Sequence, residues 1–173
     1  MGVSRMPDPS LQIRRAKVTE ARDIERVLKQ AYEQYRGKIE PPLQALSARA
    51  SQIVKEIRTP NRGYLVALLD GQLVGTLRYR KTRQDGRRVL CLSRLAVDPG
   101  ARRRGIGRRL MQEAESLARQ WGITELRGNV RAALSTLLDY YASMGYRALG
   151  RRSKPGYPRY LIVIGKRLDD HGK

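Results

Sequence analysis

Apolar and polar residues alternate weakly from Leu11 to Val18, and beyond Thr19, placed to cap a helix, Ile24, Val27, Leu28, Ala31 and Tyr35 recur at spacings of one, three and four. A strand and then a helix are predicted, because side chains alternate across a strand and return every three or four residues along a helix. Gly37 to Pro42 breaks the pattern, and Leu43, Leu46, Ala50, Ile53, Val54 and Ile57 restore helical spacing until Thr59-Pro60. A second helix is therefore expected from Leu43. Tyr64 to Leu69 and Leu73 to Tyr79 are β-prone runs on either side of Asp70-Gly71-Gln72, and a second turn, Gln84-Asp85-Gly86, leads into Arg88 to Val97, the longest apolar strand. Three sequential antiparallel strands follow from these turns.

Asp98-Pro99-Gly100 ends the third of them, and Gly105 to Trp121 sets Ile106, Leu110, Ala114, Leu117 and Trp121 on one helical face, with Arg108, Arg109, Gln112, Glu115 and Arg119 on the other. Gly122 closes that helix. Glu125 to Val130 reads as a strand, and Leu134, Leu137, Leu138, Tyr141 and Met144 as a helical stripe stopped by Gly145. Arg147 to Gly150 and Tyr160 to Lys166 supply the last strands, with the loop Ser153 to Pro158 between them. The order β-α-α-β-β-β-α-β-α-β-β is α+β in its first half and alternating in its second. No linker or internal repeat is visible, so one domain is expected over 11–168, with a flexible leader at 1–10 and a flexible tail at 169–173.

Composition narrows the chemistry. The single cysteine, Cys91, closes no intramolecular disulfide, and the single histidine, His171, lies three residues from the end of the sequence. Cys/His pairs, Ser/His/Asp triads and His- or Cys-based zinc sites all need more imidazoles or thiols than these, so no metal is expected. Cys91 lies within Val89-Leu90-Cys91-Leu92, which suggests a buried apolar role. No stretch approaches the roughly 20 apolar residues of a membrane helix, and the first residues lack the apolar core of a signal peptide, so a soluble, cytoplasmic protein is expected. Met1-Gly2 opens like a myristoylation signal, but Met6 stands where Ser or Thr is needed. Lys and Arg number 36 against 16 Asp and Glu, a net charge of +20. That charge attracts any anion, nucleic acid included, through non-specific attraction, and by itself names no partner.

Arg102-Arg103-Arg104-Gly105-Ile106-Gly107 follows a buried strand and opens a helix. Unpaired helix-terminal N–H groups, glycines that admit a ligand to the backbone and added positive charge make a phosphate site. A dinucleotide fingerprint would need a third glycine where Leu110 stands, and a Walker A loop would need Lys and then Ser or Thr where Arg108-Arg109 stand. With Val97-Asp98-Pro99 before it and an amphipathic helix after it, the segment resembles the acetyl-CoA motif of the GCN5-related N-acetyltransferase (GNAT) superfamily, and the element order resembles that family from about Leu11 to Leu168. The resemblance implies a mixed, mostly antiparallel sheet of about seven strands flanked by four helices. It implies acetyl-CoA as cosubstrate, with the amides of Arg102, Arg103, Arg104, Gly105, Ile106, Gly107 and Arg108 around its pyrophosphate and the backbone of Leu95, Ala96 and Val97 along its pantetheine arm.

Tyr140-Tyr141-Ala142-Ser143-Met144-Gly145-Tyr146 resembles the family's helix ending in Tyr-x-x-x-Gly-aromatic, which places Tyr141 near the sulfur as the acid for the departing thiolate, and Tyr140 at a packing position. The family often carries Asn seven residues before that tyrosine; here the position is Leu134, with Asn129 nearby. The implied activity is N-acetylation of a primary amine, on a small molecule or a protein, by direct attack in a ternary complex, with amides near Leu95 and Ala96 facing the developing oxyanion. Arg88 to Val97 offers no acidic residue as base, which leaves a water relay or a carboxylate of the Lys38 to Pro42 loop such as Glu40, whose plainer reading is a solvated loop acid. Arg78, Arg80, Arg83, Arg87 and Arg88 form a solvated face or steer an acidic acceptor. From a different class, a polyanion- or RNA-binding module on a degenerate acetyltransferase fold competes with the enzyme. Homodimers are common in the family, though no strand or stripe here is conspicuously self-complementary. Acceptor choice is expected to reside in the Gly37 to Pro42 and Ser153 to Pro158 loops.

Overall fold

The computed structural model describes residues 10–168; the remainder of the expected leader and the whole of the expected tail lie outside the described residues. Among them, β1 (Leu11–Arg15), β2 (Arg62–Leu69), β3 (Gln72–Gln84), β4 (Arg87–Val97), β5 (Glu125–Arg131), β6 (Arg147–Lys154) and β7 (Tyr157–Arg167) form one sheet in the order β1-β2-β3-β4-β5-β7-β6. All neighbours are antiparallel except β4 and β5, the pair joined through a helix. That connection must cross the sheet to restart in the same direction, which a two-residue turn cannot do. The four α-helices are α1 (Ala21–Tyr32), α2 (Ala50–Arg58), α3 (Ile106–Gln120) and α4 (Leu137–Ala142).

Two apolar layers sandwich the sheet. On one side Ile24, Val27 and Leu28 of α1 and Ile53 of α2 bury against Tyr64, Val66, Leu73 and Ala96. On the other, Ile106, Leu110, Met111 and Ala114 of α3 bury against Leu65, Ala67, Leu77, Leu90 and Leu126. β2 contributes to both layers with alternate residues, which is why its sequence is a continuous apolar run rather than an alternating one. Gly75 of β3 lies directly under α3; a Cβ there would stand 3.2 Å from both Ile106 Cγ2 and Leu110 Cδ1.

The structure departs from the sequence pattern at three element ends. The second helix begins at Ala50 rather than Leu43: Gln44–Ser47 is a 3-10 turn, Ala48 and Arg49 are extended, and the Glu25 carboxylate of α1 accepts the Ala50 N–H at 2.7 Å. The cap that starts α2 is thus tertiary, so local spacing could not locate it. Thr19 caps nothing; it sits inside a 3-10 turn, Val18–Glu20, where Glu20 accepts the Lys17 N–H at 2.8 Å and pairs with Arg14 at 2.5 Å. The β6 and β7 strands run through most of the expected Ser153 to Pro158 loop, leaving Pro155-Gly156 as the turn, with all eight residues of β6 exposed. The strand expected at Arg147 to Gly150 is present, and exposure on both faces removes the apolar alternation that would have carried it on to Lys154.

Candidate active site

β4 and β5 make the opening that the site uses. Their parallel ladder covers only Leu90 to Leu92 against Leu126 to Gly128, although β4 continues to Val97. Just beyond, Thr76 faces Ala96 while Arg78 faces Ser93, so β4 carries one extra residue, and Arg94 there adopts φ 54°. A bulge of this kind bends the strand and ends its regular pairing. The Tyr32 hydroxyl of α1 donates to the Leu95 carbonyl at 2.8 Å, holding the bulge from the helical side. Asp98 N–H donates back to Val74 of β3 at 2.7 Å. Alternation along an extended chain therefore turns the backbone groups of Leu95 and Val97 away from β3 and those of Ala96 toward it.

A cavity of about 350 Å³ fills the gap, with Tyr32, Arg94, Leu95, Asn129, Leu134 and Tyr141 among its walls. Tyr141 stands edge-on to Tyr140 (ring centres 5.3 Å apart) and to Tyr146 (6.2 Å). Its hydroxyl makes no hydrogen bond among the described residues, and burial first, then the Tyr140 and Tyr35 phenols, push its pKa up to about 12. It is a phenol that keeps its proton and has no acceptor for it among the described residues. Tyr32 is pushed up as well, again mainly by burial.

The arginine-glycine segment lies at the end of the same strand. Arg103 (φ 64°) and Gly105 (φ 72°) are both left-handed, and Gly105 caps α3 without any side-chain hydrogen bond. The first-turn amides of this 15-residue helix are consequently left for a ligand or for water. Gly107 holds space: a Cβ there would lie 2.7 Å from the Tyr140 hydroxyl and 3.8 Å from Val97 Cγ2, so strand end, helix start and α4 meet at this point. The arginines divide in use. Arg102 donates to the Ala31 carbonyl at the end of α1 (3.1 Å) and Arg108 to Ser143 Oγ (3.0 Å), whereas Arg103 and Arg104 are exposed, with no side-chain partner among the described residues.

Sequence reasoning did not single out Tyr32 or a group around Glu56. One Glu56 oxygen accepts from the Tyr64 hydroxyl (2.6 Å) and the other from Arg78 (3.1 Å), and Arg94 also donates to Tyr64 Oη (2.9 Å). Tyr32 stands beside the apolar stripe of α1 and Glu56 among ordinary polar positions of α2, so neither carries a local signal. Glu40 is exposed and does not line the cavity, whereas Pro41 and Pro42 do, their carbonyls both bonded by Arg131. Cys91 is half-buried rather than fully buried, and lines a smaller cavity among arginines.

Residues 23–146 match the model of the acetyltransferase (GNAT) family. The chain belongs to the GNAT acetyltransferase family. Solved GNAT-fold structures agree over nearly the whole chain. PaiA N-acetyltransferase from Thermoplasma acidophilum, in complex with coenzyme A, is 18% identical with a TM-score of 0.71, covering 91% of this chain and 99% of its own. YncA from Salmonella typhimurium, with acetyl-CoA, is 18% identical with a TM-score of 0.72, over 94% and 96%. The ribosomal-protein-S18-alanine N-acetyltransferase of Escherichia coli is 16% identical with a TM-score of 0.71, over 95% and 97%. No curated protein matches the chain by sequence. The GNAT sheet and helices expected from the sequence are present, with seven strands among the described residues. Among those residues no group of three His, Cys, Asp or Glu is placed to hold a metal, and no helix is long and apolar enough to cross a membrane.

Proposed function

We propose that this GNAT protein is an N-acetyltransferase that moves the acetyl group of acetyl-CoA to a primary amine by direct attack in a ternary complex. The observation that carries the reading is the sequence of three features along one strand: the unpaired edge of β4 and the Tyr141 phenol beside one cavity, and, at the end of that strand, the left-handed Arg103/Gly105 turn that starts α3. Bound there, acetyl-CoA supplies an activated acyl group as a thioester. The amides of 105–108, with Arg103 and Arg104, would hold the pyrophosphate, while Arg102 and Arg108 fix the turn against α1 and α4. The backbone of Leu95 and Val97 would run beside the pantetheine arm and donate toward the acyl oxygen, and Ala96 keeps that edge in place by pairing with Thr76.

Tyr141 holds a proton at Oη and would donate it toward the sulfur, and Tyr32 keeps the Leu95 carbonyl oriented. Among the described residues no carboxylate lines the cavity beside Leu95, and Glu56, in the adjoining one, has both oxygens engaged; a water in the cavity would carry the amine proton away. Because acetyl-CoA is an intracellular metabolite, the reading places the enzyme in the cytoplasm. Amine-dependent release of free CoA thiol from acetyl-CoA, followed with an acceptor panel, tests it: release that no amine accelerates would remove the proposal.

A further inference from the structure

A second cavity, of about 230 Å³, adjoins the first where β4 and β5 separate; Arg78, Ser93, Arg127 and Asn129 line both. Its walls carry five arginines, Arg62, Arg78, Arg80, Arg127 and Arg152, and a single carboxylate, Glu56. That carboxylate is already committed to Tyr64 and Arg78. Arg127 is balanced by Glu125 at 2.8 Å and by the exposed Asp85 at 3.5 Å. Arg62, Arg80 and Arg152 have no ion-pair partner among the described residues. On the wall of the first cavity Arg94 is largely buried, with its Nε lacking a hydrogen-bond partner among the described residues and its Nη1, which donates to Tyr64 Oη, 3.9 Å from Glu56. Arginines on a convex surface are simply solvated. Arg62, Arg80 and Arg152 are themselves exposed, but gathered around a concavity that shares lining residues with the first cavity they add to one another's positive potential on whatever enters.

Resting on the acetyltransferase reading above, we infer that the acceptor is a small anionic amine: a molecule carrying a carboxylate or phosphate that docks among Arg62, Arg80 and Arg152 while its amino group reaches into the neighbouring cavity beside Leu95. Arg78, Ser93, Arg127 and Asn129 stand between the two cavities, so a ligand anchored in the smaller one would have its amine directed toward the larger. The fork of a guanidinium matches carboxylate and phosphate oxygens in pairs. The same charges act on the amine. Arg78 and Arg94 face the cavity in which it would lie, and a nearby positive charge disfavours the ammonium form, so the neutral nucleophile is favoured there without a dedicated carboxylate base. A polyamine would meet repulsion at the same place.

The test uses O-phosphoethanolamine against ethanolamine, which shares its amine and lacks the anion, with spermidine and an acidic peptide alongside, titrated calorimetrically with and without CoA. O-phosphoethanolamine should bind at least about tenfold more tightly than ethanolamine, and Arg80→Glu/Arg152→Glu should lower that affinity about tenfold or more while leaving acetyl-CoA binding unchanged. Arg80→Gln/Arg152→Gln gives the same readout with milder substitutions. Equal or absent binding of the two small amines, a preference for spermidine, binding of the peptide alone, or indifference to both double variants overturns the inference. Failure of the acetyltransferase reading has a different signature, the loss of acetyl-CoA binding itself.

Discussion

Replacing Tyr141 by Phe separates stability from chemistry. The hydroxyl has no hydrogen-bond partner among the described residues, so its removal orphans no buried group, and the edge-on ring contacts to Tyr140 and Tyr146 survive in Phe. A change of that kind should cost no more than about 0.5 kcal/mol, or roughly 1 to 2 °C in Tm for a chain of this length. Its effect on turnover should be far larger. A positioned proton donor contributes about a hundredfold or more to the rate, equivalent to about 2.7 kcal/mol of barrier. Because burial holds the phenol at about 12, it stays protonated throughout the working range, and the deficit should be the same at neutral pH and at mildly alkaline pH. Thiol release at saturating acetyl-CoA and acceptor gives kcat; KM for acetyl-CoA should move little, since pyrophosphate and pantetheine contacts lie elsewhere. A Phe variant with wild-type kcat on a good acceptor would refute the donor role. One that unfolded several degrees early would instead refute the claim that the hydroxyl is free.

Gly107→Ala places a methyl group against the Tyr140 hydroxyl, and should weaken acetyl-CoA binding by about tenfold, or 1.4 kcal/mol, while Tm holds; adding Tyr140→Phe should recover part of the loss in the same calorimetric titration. Gly75→Val pushes α3 off β3 and should cost about 1 to 3 kcal/mol, a fall of roughly 2 to 12 °C measured by calorimetry. Tyr64→Phe leaves Glu56 Oε2 and Arg94 short of a partner and should cost about 1 to 3 kcal/mol without a matching loss of kcat. Tyr64 and Tyr141 both have folded-state pKa values raised from 10.0 to about 12, so their contribution to stability is complete below pH 10 and is lost as the pH rises through 12; alkaline unfolding of Tyr64→Phe should be correspondingly shallower.

How far the sequence spoke depended on whether a feature was local. α3 was legible because most of its two faces is set by its own residues, although Glu115, expected on the charged face, is buried and paired with Lys166; the turn before it was legible because a left-handed Gly105 and a Gly107 with no room for a Cβ are demands that one stretch of chain must meet. The family pattern drew attention to Tyr141, and the structure sets it on the wall of the cavity; its role as acid belongs to the proposal. What remained hidden was tertiary. The start of α2 depends on Glu25 from another helix, the β4 bulge shows only in its register against β3, and Tyr32 acts through a bond to a residue 63 positions away. The arginine cavity was hardest to see. Arg62, Arg78, Arg127 and Arg152 sit on four different strands, where each looks like a solvated charge, and only the sheet order makes them neighbours.

The central claim, that the opening between β4 and β5 with the turn at α3 receives acetyl-CoA, is tested most directly by thermal unfolding at physiological salt with acetyl-CoA, ATP or a short RNA. At about a hundred times its Kd, a specific ligand adds roughly 2.7 kcal/mol, a rise of about 5 to 10 °C. The account predicts that rise with acetyl-CoA and not with the other two. No rise with acetyl-CoA, or equal rises with all three, would contradict it and leave a basic protein that binds phosphate without distinction.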